Sequence, residues 1–256
     1  MQTIIGLDYA AIFLGGVAAG ILNSVAGGGT LVSYPILLWA GRDPILANAT
    51  NSLALWPGSL AGAWGLRREI AAVPRLLKVL VPAAVLGGVA GGALLLATPS
   101  KVFAAFVPYL ILFATAVLAA KSLLTRQSQP VGHRETPRRT AILFAVQCLV
   151  SIYGGYFGAG MGILMLAALG LYGVTDFHER NAVKNLLAAT TNGVASLFFA
   201  AAGAIRWGDG LALGAGAVVG GLVGAAVGRR LSSKTLEGVA ILVGVVATLS
   251  LILRRC

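Results

Sequence analysis

Asn23-Ser24-Val25-Ala26-Gly27-Gly28-Gly29-Thr30 interrupts an apolar chain with three consecutive glycines, and a further apolar run continues through Pro35 toward Gly41. Glycine weakens a helix interior. In hydrocarbon, a broken helix leaves backbone N–H and C=O groups that only protein, cavity water or a ligand can satisfy. The stretch is therefore a candidate binding site, provided the rest of the chain lies in a membrane.

Composition says that it does. Of 256 residues, 58% are hydrophobic and 11% charged, and the mean hydropathy is +0.89. Apolar stretches of about 20 residues recur, each long enough to cross about 30 Å of hydrocarbon. One all-α transmembrane domain spanning 1–256 follows, with the lipid bilayer as its main partner. The net charge of +11 would suggest nucleic acid in a soluble chain. Here the basic residues cluster in short loops, where membrane orientation accounts for them and no nucleic acid is called for. Residues 1–8 carry no basic n-region, so the first apolar segment is expected to be retained.

Ten helical segments are expected, at 7–26, 30–40, 46–66, 77–97, 102–124, 139–157, 161–173, 181–203, 208–228 and 235–253. The second and seventh are short: eleven residues rise about 16 Å, half of the hydrocarbon thickness. With the loops after segments 3, 5, 7 and 9 in the cytoplasm, only Arg42, Lys101, Arg206, Arg254 and Arg255 of the basic residues face out. Both termini then face out as well. Residues 125–138, with Pro130, Gly132 and Pro137, form a linker between two halves, 1–124 and 139–256.

The halves repeat. A shift of 133 positions pairs Gly27 with Gly160, Gly29 with Gly162, Asp43 with Asp176, Asn48-Ala49 with Asn181-Ala182, Ser100-Lys101 with Ser233-Lys234 and Ala114-Thr115 with Ala247-Thr248. Five segments per half is an odd number, so the second half enters the membrane from the opposite side. In transporters built from such inverted repeats, broken segments of the two halves meet near the midplane and form the substrate site. The breaks at Ala26 to Thr30 and at Phe157 to Gly162 occupy corresponding positions.

The side chains near these breaks suit a small oxyanion. Asn23, Ser24, Thr30, Asn48, Thr50 and Asn51 lie by the first, and Asn181, Lys184, Asn185 and Asn192 by the second. All can donate hydrogen bonds. Gly27, Gly28 and Gly29, with Gly158 and Gly160, would let helix N-terminal N–H groups approach the anion closely. Each Asn or Thr taken alone could instead tie two helices together, and Lys184 could be an edge lysine that snorkels to the cytoplasmic surface. The small-residue series Gly216, Gly220, Gly224 and Gly228 predicts helix packing, and Asp43 and Asp176 predict helix caps.

Other chemistry is not provided for. His133 and His178 have no partner at metal-ligand spacing, Cys148 and Cys256 suggest neither disulfide nor metal, and no cofactor is implied. All eight acidic residues fall at segment ends or in loops and none in the middle of a span, so a proton relay through a buried carboxylate is unsupported. There is no H-E-x-x-H, G-x-S-x-G or Walker A signature, so the chain is not expected to be an enzyme. Nothing in the sequence specifies an oligomeric state.

The stretch Asn23 to Thr30, with Tyr34-Pro35 and Ala47-Asn48-Ala49-Thr50-Asn51-Ser52, resembles the first-repeat pattern of the TauE/SafE sulfite exporter family, also called probable membrane transporter proteins. Phe157-Gly158-Ala159-Gly160-Met161-Gly162 matches more loosely, and the likeness extends over nearly the whole chain. The resemblance implies export or exchange of a small sulfur-containing anion, such as sulfite, sulfoacetate or another organosulfonate, across a bacterial inner membrane. A carrier or channel for another small solute, such as a carboxylate, is the alternative.

Overall fold

Proline and aspartate set where many of the helices start. The computed structural model describes residues 2–25, 28–120, 136–172, 174, 176–227 and 233–253. Among these residues the chain forms eleven helices and no strand. They are α1 (Gln2–Val25), α2 (Thr30–Trp39), α3 (Pro44–Gly65), α4 (Arg67–Ala71), α5 (Pro74–Ala97), α6 (Ser100–Ala119), α7 (Pro137–Tyr156), α8 (Met161–Tyr172), α9 (Phe177–Ala201), α10 (Trp207–Val227) and α11 (Ser233–Leu253).

Pro44, Pro74 and Pro137 occupy the first turns of α3, α5 and α7, where the missing N–H costs nothing. Asp43 and Asp176 cap α3 and α9 as their positions predict: Asp43 accepts from the N–H groups of Ile45 and Leu46, and Asp176 from that of Glu179. Thr136 caps α7 in the same way. Residues 121–135, the body of the expected linker, lie outside the described residues.

The ten expected segments correspond to ten of these helices, and α2 and α8 are short, at 10 and 12 residues. The eleventh, α4, is a correction. Its five residues include Arg67, Arg68 and Glu69 and none is buried, so it has no apolar face from which periodicity could have revealed it.

α5 and α6 are each long and apolar enough to cross a membrane. Outward-facing Leu86, Val89, Leu94, Phe106, Leu112 and Phe113 on them are exposed, the reverse of a water-soluble surface. Trp39, Trp64 and Trp207 are exposed close to helix ends, the places where aromatic rings sit at a membrane interface. Trp56 is different: its indole packs on Gly193 of α9, where a Cβ would come within 2.7 Å of Nε1.

Packing joins the two halves of the chain throughout. α1 packs on α10 and α5 on α7; α3 packs on both α9 and α10, and α9 also on α5; α6 packs on α11. At the α1–α10 crossing the backbones touch. A Cβ on Gly216 or Gly220 would overlap the carbonyl oxygen of Phe13 or Val17, and one on Gly16 or Gly20 that of Leu213 or Ala217. The small-residue series is thus helix packing as far as Gly220, and Gly228 lies outside the described residues.

Candidate functional site: two helix breaks joined by one helix face

At the first break α1 ends, and the chain turns through Gly28, at φ 90°, into α2. The left-handed conformation at Gly28 is one that a side chain would oppose. Ser24 lies in the last turn of α1, and Gly27 falls outside the described residues. The N–H of Gly29 donates to Asn23 Oδ1 at 2.8 Å. The N–H groups of Leu31, Val32 and Ser33 bond the carbonyls of Gly28 and Gly29. The N–H groups of Gly29, Leu31, Val32 and Ser33 are therefore engaged within the protein, and nearby side chains hold further hydrogen atoms to give. Ser33 Oγ donates to Asn51 Oδ1, while Asn51 Nδ2 donates to Thr30 Oγ1 at 3.4 Å. Having accepted, the Thr30 hydroxyl still has its own proton to donate, and Asn51 a second N–H.

The second break passes from α7 through Gly158 (φ 82°) and Gly160 (φ 76°) into α8. It is stapled by Tyr153, whose hydroxyl donates to the carbonyl of Ala159 at 2.6 Å and whose own carbonyl accepts from the N–H groups of Phe157 and Gly158. Lys184 of α9 lies against it: a Cβ on Gly162 would sit 3.3 Å from Lys184 Cδ. The 133-residue shift takes Asn51 onto Lys184 and Gly29 onto Gly162, so each break is faced by the same position of the following long helix.

The two breaks are neighbours. Asn48, one turn before Asn51 on the same face of α3, donates through Nδ2 to the carbonyl of Tyr156 at 2.8 Å, at the end of α7. Tyr34 of α2 meets Phe157 edge-on, with ring centroids 5.3 Å apart, and Phe103 of α6 packs edge-on against both Tyr156 and Phe157. Gly28 faces Leu118, while Gly160 faces Ala114 and Val117, so both breaks rest on one turn of α6. Asn48 is fully buried, and its Oδ1 has no hydrogen-bond partner among the described residues.

A family profile described as Sulfite exporter TauE/SafE matches residues 12–251. The chain belongs to the TauE/SafE family. It is a membrane transporter and not an enzyme, and its substrate is a small solute. It is 29% identical to a probable membrane transporter protein of Haemophilus influenzae over 226 residues, 86% of each chain. It is 27% identical to one from a Sinorhizobium species over 246 residues, 95% of this chain and 92% of that one. With one from Escherichia coli it shares 29% over 226 residues, covering 86% of this chain and 79% of its relative. No solved structure matches it.

Not every expected residue of this TauE/SafE chain reaches the junction of the breaks. Thr50 turns away, accepting from the N–H of Arg206 at 3.0 Å. Asn185 packs on Gly62, where a Cβ would lie 2.9 Å from Nδ2. Asn181 and Asn192 are half-buried on α9. The structure also joins polar groups that the sequence did not pair. Gln147 donates to Ser151 Oγ at 2.8 Å, and Thr191 Oγ1 to the same oxygen at 3.2 Å, all three buried. Asp209, 1% exposed, receives bonds from Arg42 and Arg206. A glutamine in an amphiphilic run and an aspartate beside a helix start carry no spacing signal for such contacts.

Proposed function

We propose that this transporter is a multi-pass protein of the bacterial inner membrane. In this reading it exports or exchanges a small sulfur-containing anion, sulfite or an organosulfonate, held between two inverted repeats, 1–124 and 139–256 around the linker 125–138. The observation that carries the reading is the face of α3 that places Asn51 on the first break and Asn48 on the second. A ligand at that junction would touch both halves at once, as alternating access requires. Thr30 and Asn51 would donate from the first half and Lys184 would supply positive charge from the second.

The helix packing supports the repeat. Exchanging α1, α2, α3, α5 and α6 for α7, α8, α9, α10 and α11 turns the α1–α10 contact into α7–α5, α3–α10 into α9–α5 and α2–α11 into α8–α6. The α3–α9 and α6–α11 contacts map onto themselves. Thr115 and Thr248, paired by the shift, are both buried and both bond the carbonyl four residues back, at 2.7 and 2.8 Å. A potential negative inside favours outward movement of an anion by about 2.3 kcal/mol per charge per 100 mV, so export needs no coupled proton.

Purified protein in liposomes provides the test. Under an imposed potential it should move sulfite or an organosulfonate in the direction the field favours, and Asn51→Ala should abolish that flux. Movement of a small carboxylate with no sulfur anion transported would replace this reading by the carboxylate carrier.

A further inference from the structure

The site at the breaks leaves one buried charge cluster unused. Asp209, the third residue of α10, accepts through Oδ2 from Arg42 Nε and Arg206 Nε, both at 2.8 Å, and through Oδ1 from Arg42 Nη2 at 3.1 Å. Asp8 of α1 approaches Arg42 Nη2 at 4.0 Å. Arg42 lies between α2 and α3, and Arg206 between α9 and α10, so the cluster ties segments from the two ends of the sequence. Arg206 also donates its backbone N–H to Thr50, the neighbour of Asn51. The backbone of Arg206 therefore meets α3 one residue from Asn51, on the side that turns away from the junction of the breaks. It borders the surface: the Arg206 side chain is 46% exposed and that of Arg42 16%, while the carboxylate between them is at 1%.

The repeat does not carry these four residues over. The 133-residue shift takes Asp8 onto Ala141, Arg42 onto Thr175, and Arg206 and Asp209 back onto Val73 and Leu76. None is charged, so the cluster is particular to this end at the repeat-related positions. Its distinctive chemistry is two guanidinium groups closed on one carboxylate, with an arginine fork presented to both carboxylate oxygens. A sulfite or sulfonate group offers a similar pair of oxygens to the same fork. Exchanging one anion for the other keeps the arginines paired, and the balance closes when opening of this end carries the released Asp209 carboxylate into water.

On this basis, and resting on the anion-transport reading above, we propose that Arg42 and Arg206 form a second anion station at the mouth of the substrate path. The protein's own Asp209 carboxylate fills it when this end is closed, and a small oxyanion takes its place when the end opens.

The test is chemical rescue in purified full-length protein. Asp209→Ala should lower the melting temperature, and added sulfite or formate, at ionic strength matched with chloride, should restore several degrees. The rescue should exceed any shift in the wild type and vanish when Arg42→Gln is added. An equal shift in wild type and Asp209→Ala, or rescue that survives Arg42→Gln, overturns the station.

Should Asp209→Ala not fold, Asp209→Asn keeps the side-chain shape. Leu53→Cys, half-buried where α3 meets Gly210, with Cys148 and Cys256 changed to Ser, then reports opening to a membrane-impermeant maleimide. Asp209→Asn should raise the labelling rate about tenfold, the size of a 1.4 kcal/mol shift in the opening equilibrium; an unchanged rate overturns the proposal. Neither readout depends on transport. Liposomes that move no sulfur anion while Asp209→Ala is still rescued would remove the transport reading and leave the station.

Discussion

Asn48 and Asn51 sit one turn apart on α3, yet their amides are committed differently. Asn51 is satisfied on both sides, by Ser33 and Thr30, and keeps one N–H that an anion could use. Asn48 spends an N–H on the Tyr156 carbonyl and holds its own oxygen buried without a donor. Turning the amide over would bring two oxygens together, so this orientation is fixed by its partner. Asn48→Asp keeps the shape but replaces the donor by a carboxylate oxygen facing that carbonyl. A lost hydrogen bond that leaves a buried group unsatisfied costs about 1–3 kcal/mol, and more where charge is involved. Asn48→Asp should therefore destabilise by at least about 3 kcal/mol, and Asn51→Ala by about 1–3 kcal/mol. Denaturation in detergent reads both; a smaller loss for Asn48→Asp than for Asn51→Ala would show that the Tyr156 contact does not hold the breaks together.

Among the helices, caps fix where α3 and α9 begin and hence the depth at which their polar faces meet the breaks. Asp43 bonds two N–H groups of α3 and also accepts from Ser100 Oγ at the start of α6, whereas Asp176 bonds one N–H of α9. Loss of an N-cap side chain costs about 0.5–2 kcal/mol. Asp43→Ala should fall at the upper end of that range and Asp176→Ala at the lower, and the order of their melting temperatures checks it. These caps were legible because an aspartate before an apolar helix has a mechanism attached. The breaks were legible for a similar reason, since glycines clustered within a few residues are poor helix formers, whereas glycines spaced four apart mark helix packing. The Asn48–Tyr156 bond was not, because its acceptor is a backbone carbonyl 108 residues away and no side-chain pattern marks it. Nor was the Asp209 pair with Arg42, where the charges lie 167 residues apart and each alone reads as an end-of-helix residue.

Across the whole molecule, the half-to-half contacts decide whether this sequence makes one body, and the closest of them cannot rest on side-chain burial alone. In a membrane, lipid tails compete equally for apolar side chains, so helices associate through close backbone approach. α10 offers an internal comparison in two adjacent glycines. A methyl group on Gly220 would overlap the carbonyl of Val17, while one on Gly221 meets nothing within 4 Å. Gly220→Ala must push α1 away from α10 and should cost about 1–3 kcal/mol, the usual price of overpacking. Gly221→Ala faces open space and should be neutral, or stabilise by up to about 1 kcal/mol through better helix propensity. The two variants have identical composition and hydropathy and differ by one position, so a difference in melting temperature isolates the crossing. Equal effects would mean that α1 and α10 are held by something other than contact between their backbones. Because α5 and α7 cross in the corresponding way, Gly91→Ala, whose methyl would overlap the carbonyl of Ile152, should repeat the loss seen at Gly220.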